Sequence, residues 1–382
     1  MKEWRFIVDI LECREKLDVI DKQILELFEK RMDIAKNVAE YKIKNDKPVL
    51  DTVREEQKLK ATSDMVENKE YEQGAVELFT QLMSMSRKLQ YKMIDKKDEI
   101  KSIVVDKLDI HPDTRVAFFG VEGSYAEQAM INYFGENVVS RSYDTFEKVM
   151  KAVKDNEADY GVLPIENTST GAIAGIHSLL LNYDNYIVDE TDLPIEHALL
   201  GIKGTKVEDI RRVYSHQQGI MQCKEFLDAH EYMECFEYPS TSASAKKVKE
   251  DNTTEAAAIS SVRAAKVYGL EVIVPKINYN SKNTTRFMIV SGKNIVLRKA
   301  NRISVCFEIP HKSGSLYRIL SNFIYNNLNM TKIESCPIVG RSWEYRFFVD
   351  FEGRMEDAAV ANAIEGLRQE TENLKILGTS CI

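Results

Sequence analysis

The sequence predicts a multidomain protein with an all-α region, a two-lobed α/β region and a small α+β unit of ferredoxin-like order. Three observations carry this. Residues 1–95 contain only Pro48 and Gly74 as helix breakers. From Arg115 to about Gly292, short apolar runs alternate with helical patterns. Residues 302–382 read strand, helix, strand, strand, helix, strand. The expected boundaries are 1–95, a charged linker over 96–113, an α/β region over 114–292 and the last unit over 300–382.

Each part has local reasons. The first helix runs to about Asn45, Pro48 ends the connection after it, and Asp51 is placed to cap the second helix. A third helix starts near Tyr71. Strand candidates in the middle region are "RVAFFG", "YGVLPI", "YIVDE", "HALLGI", "RRVYSH", "AAAIS", "EVIVP" and "RFMIV". Helical patterns such as "TFEKVMKAVKDN" separate many of them, which points to largely parallel sheets and a ligand cleft between two lobes.

Composition excludes several classes. Hydrophobic residues at 44% and charged residues at 29% describe a chain able to bury a core. No apolar run approaches the ~18 residues of a membrane span, so no membrane partner is expected. The start, "MKEWRFIVDILECREK", mixes acids into what would be a signal peptide's apolar core, so a cytoplasmic location is expected. The net charge of -8 argues against a nucleic-acid partner. Six scattered cysteines form no CxxC pair and read as reduced thiols. Gly120 and Gly123 lack the third glycine of a dinucleotide motif, and no P-loop or HExxH occurs. No cofactor and no metal are expected.

The stretch "ELFEKRMDIAKNVAEYK" raises the first functional question. Ile24, Leu27, Phe28, Ile34, Ala35 and Val38 define one apolar helix face. Arg31 lies within it, and Lys42, eleven residues on, returns to within about 20° of the same line. Such cations either belong to structural ion pairs or snorkel to a surface, or they line a buried anion pocket. Lys and Arg balance Asp and Glu over residues 1–60, fourteen against fourteen, which disfavours a DNA-binding module. Asp51, Arg54 and Glu55 share a face of the second helix, as do Ser86 and Gln90 on the third. Apolar walls, cations and neutral donors of this kind suit a small dianion, with chemistry driven by binding and electrostatics.

At "CREKLDVIDKQILELFEKR", "AEYK" and "PVLDTVREE", the chain closely resembles chorismate mutases of the AroQ type, dimers of three-helix chains. The resemblance implies that Arg14, Arg31, Lys42 and Arg54 hold the carboxylates and ether oxygen of chorismate, with Arg14 reaching into the partner subunit's site. It implies further that Asp51 and Glu55 fix the hydroxyl, and that Ser86 and Gln90 complete the pocket.

In the middle region, "VLPIENTSTGAI" is either a capped strand-to-helix turn or an anion site at a helix start. "YSHQQGIMQC", "YPSTSASAKKV" and "NTTRFMIV" add polar clusters at similar junctions. Together the four resemble the prephenate dehydratase domain, whose fold is periplasmic-binding-protein-like. Thr285 then matches the family's essential threonine and Arg286 a carboxylate ligand, while Asn167, Thr168, Ser169, Ser215 and Gln222 line the cleft. Thr285 is too weak an acid to ionise, so a hydrogen-bond donor role fits it better. His216 is either an ultimate acid or structural.

The last unit resembles an ACT domain, which implies an L-phenylalanine site between subunits at Gly314, Ser315 and Leu316 in "GSLY" and at Glu334 and Ser335 in "ESCP". Cys336 stands where the family has arginine. Taken together, the resemblance is to fused chorismate mutase–prephenate dehydratases. It implies chorismate and prephenate as substrates, L-phenylalanine as effector and a homodimer or higher oligomer. The alternative is a non-enzymatic aromatic-metabolite sensor with a helical dimerisation domain.

Overall fold

The computed structural model describes residues 9–93 and 102–381, except 174, 310, 313 and 339. It divides into two compact units. The first holds the described parts of Met1–Asp98 and Cys306–Lys375, and the second those of Glu99–Val305 and Ile376–Ile382.

The first unit opens with α1 (Ile10–Lys44), α2 (Thr52–Met65) and α3 (Glu72–Met93), the three helices expected. Asp51 caps α2, its Oδ1 accepting from Arg54 N at 3.0 Å. At 35 residues α1 is about 52 Å long, against about 33 Å for the 22-residue α3. Ala35 and Ala39 of α1 are buried. The apolar face read from sequence divides here: Ile24, Leu27, Ile34 and Val38 stay exposed.

The second unit contains, in order, β1 (Ile103–Val105), β2 (Arg115–Phe119), α4 (Tyr125–Phe134), β3 (Val139–Tyr143), α5 (Phe146–Lys154), β4 (Tyr160–Asn167), β5 (Gly171–Ala172), α6 (Ile176–Tyr183), β6 (Tyr186–Pro194), β7 (Ala198–Gly201), β8 (Arg212–Ser215), α7 (Gln217–Gln222), α8 (Lys224–Asp228), β9 (Glu234–Glu237), α9 (Thr241–Asp251), β10 (Ala256–Ser260), α10 (Val262–Tyr268), β11 (Glu271–Val274), β12 (Thr284–Ser291) and β13 (Ile295–Leu297). One lobe is the sheet β6-β12-β4-β2-β3, and the other is β11-β7-β10-β8-β9. The sheets are mixed rather than largely parallel. β2 runs parallel to β3 and β4, but β12 is antiparallel to β4 and β6. β8 is likewise parallel to β9 and β10, while β7 is antiparallel to β10 and β11. Strand direction depends on the path between strands, which apolar runs do not record. Within the segment read as linker, Ile103–Val105 is a strand paired parallel with β13.

The chain ends with β14 (Arg302–Glu308), α11 (Ser315–Tyr325), β15 (Met330–Pro337), β16 (Tyr345–Glu352), α12 (Ala358–Glu370) and β17 (Glu372–Ser380). The strand order β15-β16-β14-β17 is that of a ferredoxin-like βαββαβ sandwich. In the first unit, α3 packs against both α11 and α12.

Candidate active sites

The helical pocket is organised by α3. Arg31 Nη1 donates to Leu82 O at 2.8 Å and also to Ser86 Oγ. Gln90, one turn further on, is 5% exposed, and its Oε1 is buried without a hydrogen-bond partner among the described residues. Gln90 Oε1 is thus a buried acceptor left open to a polar ligand. Lys42 Nζ donates to Val49 O. Burial pulls the Lys42 pKa below the ordinary lysine range, opposed by Asp51 and Glu55. Burial lowers Arg31 as well, opposed by Glu55.

The structure therefore gathers Arg31, Ser86 and Gln90, and sets Lys42 within the field of Asp51 and Glu55. Two expected residues stand apart within the chain. Arg14 is exposed and lies about 26 Å from Arg31 along α1. Arg54 is exposed too, and its backbone N–H is the one that Asp51 accepts in capping α2. Sequence reading missed Arg87, whose Nη1 pairs with Glu55. As the neighbour of Ser86 it points about 100° away, so no face pattern signals it.

The second unit holds a cavity of about 570 Å³ lined by residues of both lobes. Phe119, Pro164 and Phe287 give it apolar sides, and Asn167, Gln222 and Thr285 line it with polar groups. A line of hydrogen bonds connects them. Tyr125 Oη meets His197 Nδ1 at 2.8 Å, and His197 Nε2 donates to Gln222 Oε1 at 2.8 Å. Gln222 Oε1 also accepts from Asn283 Nδ2 at 3.2 Å. Asn167 Nδ2 then donates to Asn283 Oδ1 at 2.9 Å and to Thr285 Oγ1 at 2.8 Å. The Asn167 amide is oriented by its other end, where Oδ1 accepts from Ser169 N at 2.8 Å and Thr170 N at 3.2 Å. Thr285 Oγ1 therefore accepts on the Asn167 side and keeps its own O–H to donate. Burial lowers the His197 pKa, so the ring is neutral at neutral pH.

Several expected residues are not at this cavity. Arg286 is not among its lining residues: Thr285 and Phe287 face the cavity, so the residue between them on β12 points the other way. It makes ion pairs with Asp192 at 3.2 Å, Glu190 at 3.5 Å and Glu166 at 3.8 Å. Ser215 is fully buried and donates to Ile259 O at 2.8 Å. Thr168 Oγ1 accepts from Thr284 N, and Ser169 Oγ donates to Asn283 Oδ1, so both brace the turn from outside the lining. His216 does line the cavity, but its Nδ1 caps α7 by accepting from Gln218 N.

With Arg286 turned away, the donors at the cavity that suit an anion include backbone N–H groups. The first residues of α4 and α9 line it, at Ser124–Tyr125 and Ser240–Thr241. Both caps are formed: Ser124 Oγ accepts from Glu127 N and Ser240 Oγ from Ala243 N. Two helix N-termini thus bring partial positive charge to one space.

A second cavity, of about 350 Å³, lies in the C-terminal module and is lined by Gly314, Ser315, Leu316, Tyr317, Tyr345 and Phe347 among others. Glu334 and Ser335 belong to β15 and are not among its lining residues. Cys336 Sγ sits 3.7 Å from Glu334 Oε1.

A helical cluster of half-buried cations and a two-lobed cavity with a threonine at its wall are two separate places of the kind that suits an enzyme of small anionic metabolites. The model of chorismate mutase type II matches residues 13–91, and that of prephenate dehydratase matches residues 116–295. A bifunctional chorismate mutase/prephenate dehydratase of Buchnera aphidicola is 30% identical over 376 residues, covering 97% of this chain and 96% of that protein. Among solved structures, prephenate dehydratase from Arthrobacter aurescens in complex with L-Phe matches with a TM-score of 0.65 at 28% identity, over 70% of this chain and 90% of its own. A protein described as GqqA, a novel type of quorum quenching acylase, matches with the same TM-score at 29% identity, over 70% of this chain and 97% of its own. The chain belongs to the bifunctional chorismate mutase/prephenate dehydratase family.

Proposed function

We propose that the helical pocket rearranges chorismate to prephenate and that the two-lobed cavity converts prephenate to phenylpyruvate. The observation that carries this reading is the orientation of Thr285, whose hydroxyl accepts from Asn167 and so has its proton free for the cavity. In the second reaction the carbon–carboxylate bond breaks, and its electron pair moves into the ring. The ring hydroxyl leaves as carbon dioxide is released. Thr285 donates a hydrogen bond to that oxygen, which departs as water with a proton drawn ultimately from solvent. The N-termini of α4 and α9 hold the substrate's carboxylates, a role that Arg286 does not take.

In the first reaction Arg31 and Lys42 hold the dianion in its compact conformer, with Ser86 orienting the arginine. Lys42 and Gln90 stabilise charge on the ether oxygen as its bond breaks. Asp51 and Glu55 engage the hydroxyl. A second copy of the chain completes the pocket by covering the exposed Leu17, Ile20, Ile24 and Leu27 of α1 and supplying Arg14. The C-terminal module acts as an ACT domain that binds L-phenylalanine at the Gly314–Tyr317 cavity and inhibits the enzyme.

Single substitutions separate the two reactions. Lys42→Ala is expected to abolish prephenate formation while the variant still consumes added prephenate; Thr285→Ala is expected to do the reverse. If both variants keep both activities, the site assignments are wrong.

A further inference from the structure

The end of α12 reaches the support of the helical pocket. Glu370 Oε1 accepts from Arg87 Nε at 2.8 Å, and its Oε2 accepts from Asn322 Nδ2 of α11 at 3.2 Å. Arg87 turns its Nη1 to Glu55. The side chains of Arg87 and Glu370 are only 7% and 6% exposed, so this shared guanidinium is shielded from water. Beside it, Gln369 Oε1 accepts from Leu50 N at 3.4 Å, next to the Val49 carbonyl that holds Lys42. Two pocket residues, Glu55 and Lys42, are therefore held by groups that α12 itself holds.

We propose that Gln369 and Glu370 are positioning residues of the mutase site, so that the C-terminal module, through α12, sets where Glu55 and the Val49–Asp51 turn stand. This rests on reading the helical pocket as the mutase site. A buried arginine divides its donors between its two carboxylates. With Glu370 in place, Glu55 receives part of the guanidinium and keeps an oxygen for the substrate hydroxyl. Without Glu370, Arg87 turns wholly to Glu55 and draws it from the pocket. A ligand that shifts α12 then changes chorismate binding without entering the pocket, because it alters which carboxylate Arg87 favours.

The test uses the full-length chain carrying Glu370→Ala, Glu370→Gln or Glu55→Ala. Glu55 binds the hydroxyl in ground and transition states alike, so its displacement appears in KM more than in kcat. Glu370→Ala should raise the KM for chorismate about tenfold, the scale of one charged hydrogen bond, with kcat little changed. Glu370→Gln, which still accepts from Arg87, should restore much of the affinity. Dehydratase activity should stay at the parental level in both, which reports that the chain is folded. A parental KM in Glu370→Ala, with Glu55→Ala impaired, overturns the proposal. Full mutase activity in Glu55→Ala instead overturns the reading of the pocket on which the proposal stands.

Discussion

Replacing Thr285 by Val keeps the β-branched shape on β12 and removes only the hydroxyl. The side chain is 8% exposed, and its oxygen accepts one bond, from Asn167 Nδ2 at 2.8 Å. Asn167 keeps its bond to Asn283 at 2.9 Å, and the donor freed by the substitution faces a cavity that water can enter. The loss in stability should therefore be about 1 kcal/mol, the net worth of one neutral hydrogen bond. For a unit of this size that lowers Tm by about 2–4 °C. The catalytic loss is of another order, since removing a positioned proton donor costs ~10²–10⁴ in rate. Assayed well below Tm with prephenate as substrate, Thr285→Val should be folded and at least about a hundredfold slower in kcat. Thr285→Ser, which retains the hydroxyl, should recover much of the rate. A Val variant that keeps more than about a tenth of parental kcat, or a Ser variant as slow as Val, would refute the donor role.

Three further outcomes follow from the same structure. Lys42 must be protonated to hold the dianion, and burial lowers its pKa, so mutase kcat/KM should fall with rising pH before reaching the ordinary lysine value of 10.5. Lys42→Arg should remove that alkaline limb, and a limb unmoved by the substitution would contradict the assignment. Gly123 has φ +80°, and an added Cβ would lie 2.9 Å from Ala264 Cα and from Ser242 Oγ, where the lobes meet. Gly123→Ala should cost about 1–3 kcal/mol in the second unit from overpacking alone, and should depress dehydratase while sparing mutase; equal loss of both activities would count against it. Burial pushes Lys88 down to about 8, opposed by Glu370 and reinforced by Arg87. Between pH 8 and 10 the unfolded chain holds a proton that the folded chain has released, so this residue's cost to stability shrinks as pH rises. Thermal melts of Lys88→Met should therefore show an advantage over the parent at neutral pH that fades across this window, and a constant difference would refute it.

Where a residue's role follows from its own element, the sequence showed it. Arg31, Ser86 and Gln90 meet because helical spacing already put them on facing surfaces. Asp51 caps α2 as its position suggested, and the βαββαβ order of the last module was readable from its apolar runs. Of the strands that escaped notice, β3 and β9 are sheet edges with mostly exposed residues, so "VSRSY" and "ECFE" carry no apolar run, while β1, β5 and β13 are only two or three residues long. What stayed hidden depends on chain segments far apart in sequence. His197 and Asn283 join the hydrogen-bond line only because β7 and the turn before β12 are brought together with α7. Arg286 looked like a ligand because it neighbours Thr285, yet strand alternation alone puts the two on opposite faces. Ser215 shows the same limit: its polar neighbours suggested a site, but its own hydroxyl is spent on Ile259 O.

One chain thus carries two consecutive reactions in two separate sites under the function proposed. The most direct measurement is to supply the purified chain with chorismate alone and follow prephenate and phenylpyruvate over time. Prephenate should form first and phenylpyruvate should follow. Chorismate left unconsumed, or prephenate that accumulates without phenylpyruvate, would contradict it.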